Sequence, residues 1–195
     1  MNYKICIYGG TFDILHDGHK AIIHKLVENY DLVYLVPTSI SYYKQNKVMY
    51  TFNERLSNLE NWLRATFSEK DIEKIIVSDI ENNKDSNWRF IDTLKAISKR
   101  YPKNKLYVAM GGDSFINIKQ WEKYEEIVAN SNIVVINRPG YDRENYPQDI
   151  PYDFIDMNID ISSTQLRTEI RGMTDEEFED LLDSDLLDES RWNRN

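Results

Sequence analysis

A single cysteine, Cys6, stands among the 195 residues of the chain. One thiol cannot close an internal disulfide or build a cysteine-based zinc site, which excludes a disulfide scaffold and a zinc finger. Cys6 is expected as a small apolar residue in a buried strand, and the chain as cytoplasmic. No apolar run approaches the roughly 20 residues that a membrane-spanning helix needs. The opening Met-Asn-Tyr-Lys-Ile-Cys-Ile-Tyr lacks the charged-then-apolar layout of a secretory leader, so neither leader nor membrane contact is expected. Internal repeats are absent as well. Positive charge is in deficit, with 24 Lys+Arg against 33 Asp+Glu. The deficit is local: Asp175–Glu189 carries nine acids and no base, and the remaining 24 acids balance the 24 bases. A body neutral on average has no large positive field for a long nucleic acid, yet suits a phosphorylated small molecule. Length predicts one domain over residues 1–172, followed by an acidic tail or helix over 173–195. In that tail Phe178, Leu181 and Leu182 can share one apolar helix face.

Short apolar runs alternate with amphipathic stretches. Tyr3–Tyr8, Leu32–Val36, Ile75–Val77, Leu106–Met110, Ile133–Ile136 and, more weakly, Phe154–Met157 read as strands. Helices are expected over Ala21–Glu28, Asn53–Phe67, Trp88–Ser98 and Ser163–Arg171, where apolar side chains recur three and four apart. Strands alternating with helices imply an α/β fold: a doubly wound, Rossmann-like parallel sheet with helices on both faces. Ligands then bind at the carboxyl ends of the strands, where the strand order reverses.

The string Gly9-Gly10-Thr11-Phe12-Asp13-Ile14-Leu15-His16-Asp17-Gly18-His19 follows a strand and opens a helix. There, free backbone N–H groups and the helix dipole favour an anion, and Gly9 and Gly10 let a phosphate approach the backbone. His16 and His19, three apart, can point into one pocket. Two histidines with no third ligand nearby make a poor zinc site but can neutralise a polyphosphate as charge builds during displacement. Asp13 is expected to brace the loop, and His24 to lie on the surface.

The string resembles the GTFDxxHxGH signature of the nucleotidyltransferase superfamily. Further segments narrow the likeness to the nicotinate (or nicotinamide) mononucleotide adenylyltransferases. They are Lys44 with Arg55, Gly111-Gly112-Asp113-Ser114 with Trp121, Asn137-Arg138-Pro139-Gly140-Tyr141, and Ile161-Ser162-Ser163-Thr164-Gln165-Leu166-Arg167. The resemblance implies adenylyl transfer from ATP to a pyridine mononucleotide, giving a dinucleotide and pyrophosphate, with no protein nucleophile. It implies that His16, His19, Thr11, Ser162, Ser163 and Arg167 bind the ATP phosphates, with Gly9 and Gly10 at the same loop. It places Gly111 and Asp113 at the nucleoside, and Arg138 near the adenosine side. Magnesium is expected to be held chiefly by the phosphates, with no metal site in the protein. A homo-oligomer is compatible with the resemblance.

The chain departs from the family's pattern at its acidic C-terminus, Asp175–Glu189, and at two places within the body. Ser41-Tyr42-Tyr43 replaces the Pro-Pro-His that precedes the loop lysine, and Asn87-Trp88-Arg89 replaces the Ser-Tyr-Thr ahead of Asp92-Thr93-Leu94. Lys44, Arg55, Trp88, Arg89 and Trp121 are the mononucleotide candidates. Trp88 and Trp121 can sandwich a cationic ring, or each can be core packing. Arg89 can face a nicotinate carboxylate or solvent. Lys44 and Arg55 are either ligands or solvated charges, and Asp113 a ribose acceptor or a helix cap. The expected substrate is nicotinate mononucleotide. The alternatives are the nicotinamide form, a sister enzyme using CTP or phosphopantetheine, and a non-catalytic nucleotide sensor.

Overall fold

The computed structural model describes residues 3–39, 48–82, 88–137 and 142–157. Six strands form one sheet: β1 (Lys4–Gly10), β2 (Leu32–Pro37), β3 (Ile75–Val77), β4 (Lys105–Gly111), β5 (Asn132–Asn137) and β6 (Tyr152–Asp156). Every pairing is parallel, in the order β3-β2-β1-β4-β5-β6. The chain runs outward from β1 to β3, then returns to β1's other side and runs outward again. The order therefore reverses between β1 and β4, opening the crevice in which doubly wound sheets take ligands.

Strand alternation decides what each face buries. Cys6, Tyr8, Val33, Leu35, Tyr107, Ala109, Val134 and Ile136 point to one side. There they meet Ile22, Ile23 and Leu26 of α1 (Asp17–Asn29) and Leu59, Trp62 and Leu63 of α2 (Phe52–Thr66). Ile5, Ile7, Tyr34, Val36, Val108, Met110, Ile133 and Val135 point to the other. They are covered by Ile91, Leu94 and Ile97 of the helix Phe90–Arg100, by Phe115 of Gly112–Ile116 and by Ile127 of Tyr124–Asn130. With α3 (Glu69–Ile72) preceding them, these three are α4, α5 and α6. Both faces are buried, which is why the inner strands read as continuous apolar runs. Cys6 is fully buried in β1, as expected.

Three elements have a boundary that the apolar pattern does not mark. β1 continues through both glycines to Gly10. α1 starts at Asp17, four residues before the expected Ala21, so His19 lies in its first turn and His16 at its N-cap. α4 starts at Phe90, leaving Trp88 and Arg89 in the approach to the helix rather than within it. β6 is an edge strand with exposed Asp153 and Phe154, hence its weak pattern. The expected final helix and the acidic tail lie outside the described residues. Among the described residues no helix is long and apolar enough to cross a membrane.

Candidate active site

β1 ends in Gly9 and Gly10, and the loop that follows carries backbone most side chains avoid. Phe12 and Ile14 have φ of 47° and 79°, the left-handed region in which a β-branched residue is a genuine outlier. Such residues cost about 1–3 kcal/mol each and persist where their surroundings hold them. Three restraints do so here. The buried Asp13 carboxylate accepts hydrogen bonds from the Met49 and Tyr50 amides, at 2.9 Å and 3.1 Å. The Thr38 amide donates to the Gly10 carbonyl at 2.9 Å, joining the ends of β1 and β2. Arg55 then forks across both strand ends, with Nη1 donating to the Thr11 carbonyl at 2.6 Å and Nη2 to the Thr38 carbonyl at 2.8 Å.

Arg55 is in place because α2 starts where it does. Thr51 and Glu54 cap that helix reciprocally: Thr51 Oγ1 accepts from the Glu54 amide, and Glu54 Oε2 accepts from the Thr51 amide at 2.7 Å. Arg55 follows directly, and 3% of it is exposed. The solvated-charge reading of this residue is therefore wrong, because its guanidinium is fixed inside the protein. Burial lowers its pKa from the ordinary value, while the nearby carboxylates of Asp13 and Glu81 work in the opposite direction. Arg55 is a brace for the loop. Among the described residues its Nε and the Thr38 hydroxyl are buried polar atoms without a hydrogen-bond partner.

The histidines come next. His16 occupies the N-cap of α1 with its side chain turned away from capping, and its carbonyl receives the His19 amide at 2.8 Å. The two imidazoles lie together with ring centroids 4.0 Å apart and planes tilted by 38°, and His19 lies 5.4 Å from the Phe12 ring. Both are buried. A methyl group on Gly10 would sit 3.2 Å from Phe12, so the missing side chain seats the aromatic ring that backs the pair. Two ring N–H groups above a helix N-terminus form a compact receptor for a phosphate chain.

Across the reversal, β4 ends at Gly111 and α5 begins at Gly112. Asp113 therefore lies in the first turn of α5. It is exposed and is not the cap of a helix starting at Ser114; Gly111 holds the cap position. The space of a Gly111 side chain is taken by the Asp113 carboxylate, so a substituent there would displace that carboxylate. Phe90 lies against Gly9 and meets Trp121 edge-on, with centroids 5.5 Å apart at 70°. Trp121 thus contributes to an aromatic wall beside the end of β1. Trp88 is anchored separately: its indole N–H donates to Thr93 Oγ1 at 2.9 Å. Arg89 reaches Glu122 at 3.0 Å, which gives it a carboxylate partner within the protein.

The structure thus gathers Gly9, Gly10, Thr11, His16, His19, Gly111 and Asp113 around the β1–β4 reversal. Lys44, Arg138, Ser162, Ser163 and Arg167 lie outside the described residues. His24 is not a surface residue: it is half-buried, with its ring 4.3 Å from that of Phe67. Glu81 went unrecognised in the sequence. It sits in a polar stretch that reads as loop, yet its carboxylate is buried and accepts from Thr93 Oγ1 at 2.8 Å and from the Ser39 amide at 3.2 Å. Burial raises its pKa, against the lowering influence of Thr93, Ser39 and Arg55. The folded state therefore holds this proton more tightly than the unfolded chain does. Its contribution to stability falls as pH rises from the ordinary glutamate range through the raised value. The Tm of the parent minus that of Glu81→Gln should accordingly be larger at mildly acidic than at neutral pH. Paired thermal melts across pH check this, and a difference that grows with pH would contradict the burial argument.

A parallel sheet with glycine turns and paired histidines at its reversal defines an α/β protein built to bind nucleotides. The comparisons agree. The cytidylyltransferase-like family matches residues 7–169. The probable nicotinate-nucleotide adenylyltransferase of Aliarcobacter butzleri is 30% identical over 191 residues, covering 93% of this chain and 97% of that one. The protein of the same name from Nitratiruptor is 32% identical over 166 residues, covering 84% and 87%. The Plasmodium falciparum nicotinic acid mononucleotide adenylyltransferase complexed with NaAD superposes with a TM-score of 0.68 at 22% identity, covering 86% of this chain and 82% of that one. At that identity the likeness speaks for the fold. The chain belongs to the cytidylyltransferase-like family and, within it, to the nicotinate-nucleotide adenylyltransferases, nucleotidyltransferases of NAD biosynthesis with a Rossmann-like fold.

Proposed function

We propose that the chain transfers the adenylyl group of ATP to nicotinate mononucleotide in the cytoplasm, forming deamido-NAD and pyrophosphate. An oxygen of the mononucleotide phosphate attacks the α-phosphorus in line. A new P–O–P bond forms as the bond to the β-phosphate breaks, and pyrophosphate leaves. The attacking phosphate is already ionised near neutral pH, so the protein supplies position and charge rather than a base or nucleophile. The observation that carries this reading is the close His16–His19 pair at the N-terminus of α1, in the loop beyond the glycine end of β1.

In this reading the two imidazoles, Thr11 and the α1 amides hold the triphosphate. Ser162, Ser163 and Arg167 hold it from the other side, with Asp113 on a ribose and Arg138 near the adenosine. Lys44, Trp88, Arg89 and Trp121 serve the mononucleotide. Arg55 acts on both substrates indirectly, through the carbonyls of Thr11 and Thr38. Magnesium enters this reading as an ion carried by the phosphates of ATP rather than by a cluster of protein ligands. Asp13, the acid nearest the loop, has both oxygens on backbone amides. When bound, the ion adds positive charge to the phosphates.

Pyrophosphate release is the test, with ATP or CTP as donor and nicotinate mononucleotide, nicotinamide mononucleotide or phosphopantetheine as acceptor. Release is expected with ATP and the nicotinate form, with kcat/KM at least about tenfold above the nicotinamide form. A preference for the amide would reverse the acid assignment. Turnover with CTP or phosphopantetheine would overturn the substrate pair, and tight ATP binding without release would favour a sensor.

A further inference from the structure

Beside the phosphate loop a second polar network runs toward the indole of Trp88, and its direction is fixed by hydrogen-bond chemistry. Thr93 is fully buried in the first turn of α4. A threonine there commonly turns its hydroxyl to the helix's own backbone. Thr93 instead donates to Glu81 Oε1 at 2.8 Å and receives the Trp88 indole N–H at 2.9 Å. A hydroxyl has one proton and an indole nitrogen can only donate. With a carboxylate on its far side, the Thr93 proton must face Glu81, and a lone pair must face Trp88. The other oxygen of Glu81 accepts the Ser39 amide at 3.2 Å. Ser39 follows Thr38, whose amide bonds the Gly10 carbonyl and whose carbonyl is held by Arg55. The indole of Trp88 and the glycine end of β1 are thus parts of one hydrogen-bonded frame.

We propose that Glu81 is a positioning residue: through Thr93 it fixes the plane in which Trp88 presents its ring to the mononucleotide. The role of Trp88 rests on the function proposed above, whereas the Glu81–Thr93–Trp88 chain does not. A buried carboxylate makes the strongest available acceptor for the Thr93 hydroxyl, and a hydroxyl polarised in this way is a better acceptor for the indole. Glutamine at position 81 keeps the shape but loses the charge. It cannot accept from both Thr93 and the Ser39 amide, because one of its two ends is a donor. Valine at position 93 keeps the volume and removes the link.

The test combines a magnetic-resonance readout with steady-state kinetics. The Trp88 indole N–H signal is assigned by its disappearance in Trp88→Phe. In Glu81→Gln and Thr93→Val that signal should shift and exchange faster with solvent. KM for the mononucleotide should rise about fivefold in both, the share of one hydrogen bond. In Thr93→Val, which leaves the Glu81–Ser39 contact in place, KM for ATP and kcat should stay within about twofold. Thr93→Ser, which keeps the hydroxyl, should restore both readouts. An indole signal identical to the parent's in Glu81→Gln and Thr93→Val overturns the proposal. A shifted signal with an unchanged mononucleotide KM overturns it as a device of substrate recognition. Should the parent release no pyrophosphate with any mononucleotide, the function reading fails while the indole signal still decides whether Glu81 positions Trp88.

Discussion

His19→Ala should lower turnover about 10²–10³-fold while the protein stays folded. That is the usual loss when one donor aimed at developing charge is removed from a preorganised site. The ring lies in the first turn of α1, against His16 and Phe12. Its deletion leaves a hole beside Phe12 at the margin of one core cluster but removes none of the strand side chains that cover either sheet face. His16→Ala should act on the same step, and the double variant should lose less than the sum, because the two rings share one task. Single-turnover rates beside far-ultraviolet circular dichroism check this. Turnover within tenfold of the parent, with an intact fold, would show that the imidazoles do not carry the phosphate charge.

Arg55→Met should cost the fold about 3–5 kcal/mol, a large share of the 5–15 kcal/mol by which domains are usually stable. Methionine fills much of the same space but leaves the Thr11 and Thr38 carbonyls without their charged donor. It also leaves the buried Asp13 and Glu81 without a nearby cation whose charge favours theirs. Arg55→Lys should recover only part of the loss, since a single ammonium cannot reproduce a fork spanning two carbonyls. Urea denaturation measures the change. An unmoved midpoint for Arg55→Met would mean that the loop does not depend on this brace.

Why Arg55 reads ambiguously in the sequence is instructive. Its sequence neighbours Glu54 and Ser57 are polar, whereas Leu59 and Trp62, four and seven residues on, share its buried helix face. What no local pattern shows is that a strand end from 44 residues earlier will fold against it. Glu81 is harder still. Its partners lie 42 residues before it and 12 after it, and each contact exists only once β2, β3 and α4 are assembled. By contrast, the sheet was legible because doubly buried parallel strands must be apolar along their whole length. The loop after β1 stood out because its glycines and histidines mark it by residue type, not merely by hydrophobicity, and the fold does place them together at the end of β1 and the start of α1. Helix starts were misplaced where apolar spacing is silent. α1 opens on Asp17-Gly18-His19, and α5 on Gly112-Asp113, residues chosen for the site rather than for the core. The identity of the wall residue Phe90 was hidden for a related reason, since an aromatic three residues before Thr93 looks like core from its neighbours alone.

The left-handed turn at Ile14 has a consequence for how the loop can change over time. Glycine is the residue its backbone would prefer, but Ile14 is almost fully buried, and emptying that volume would cost more than the relaxed torsion returns. Any larger or polar replacement meets both obstacles at once. The position is caught between two opposed demands, so improvement by a single step is closed to it. Variation in this segment therefore has to arrive as coordinated pairs, one change reshaping the chain path and another refilling the interior behind it.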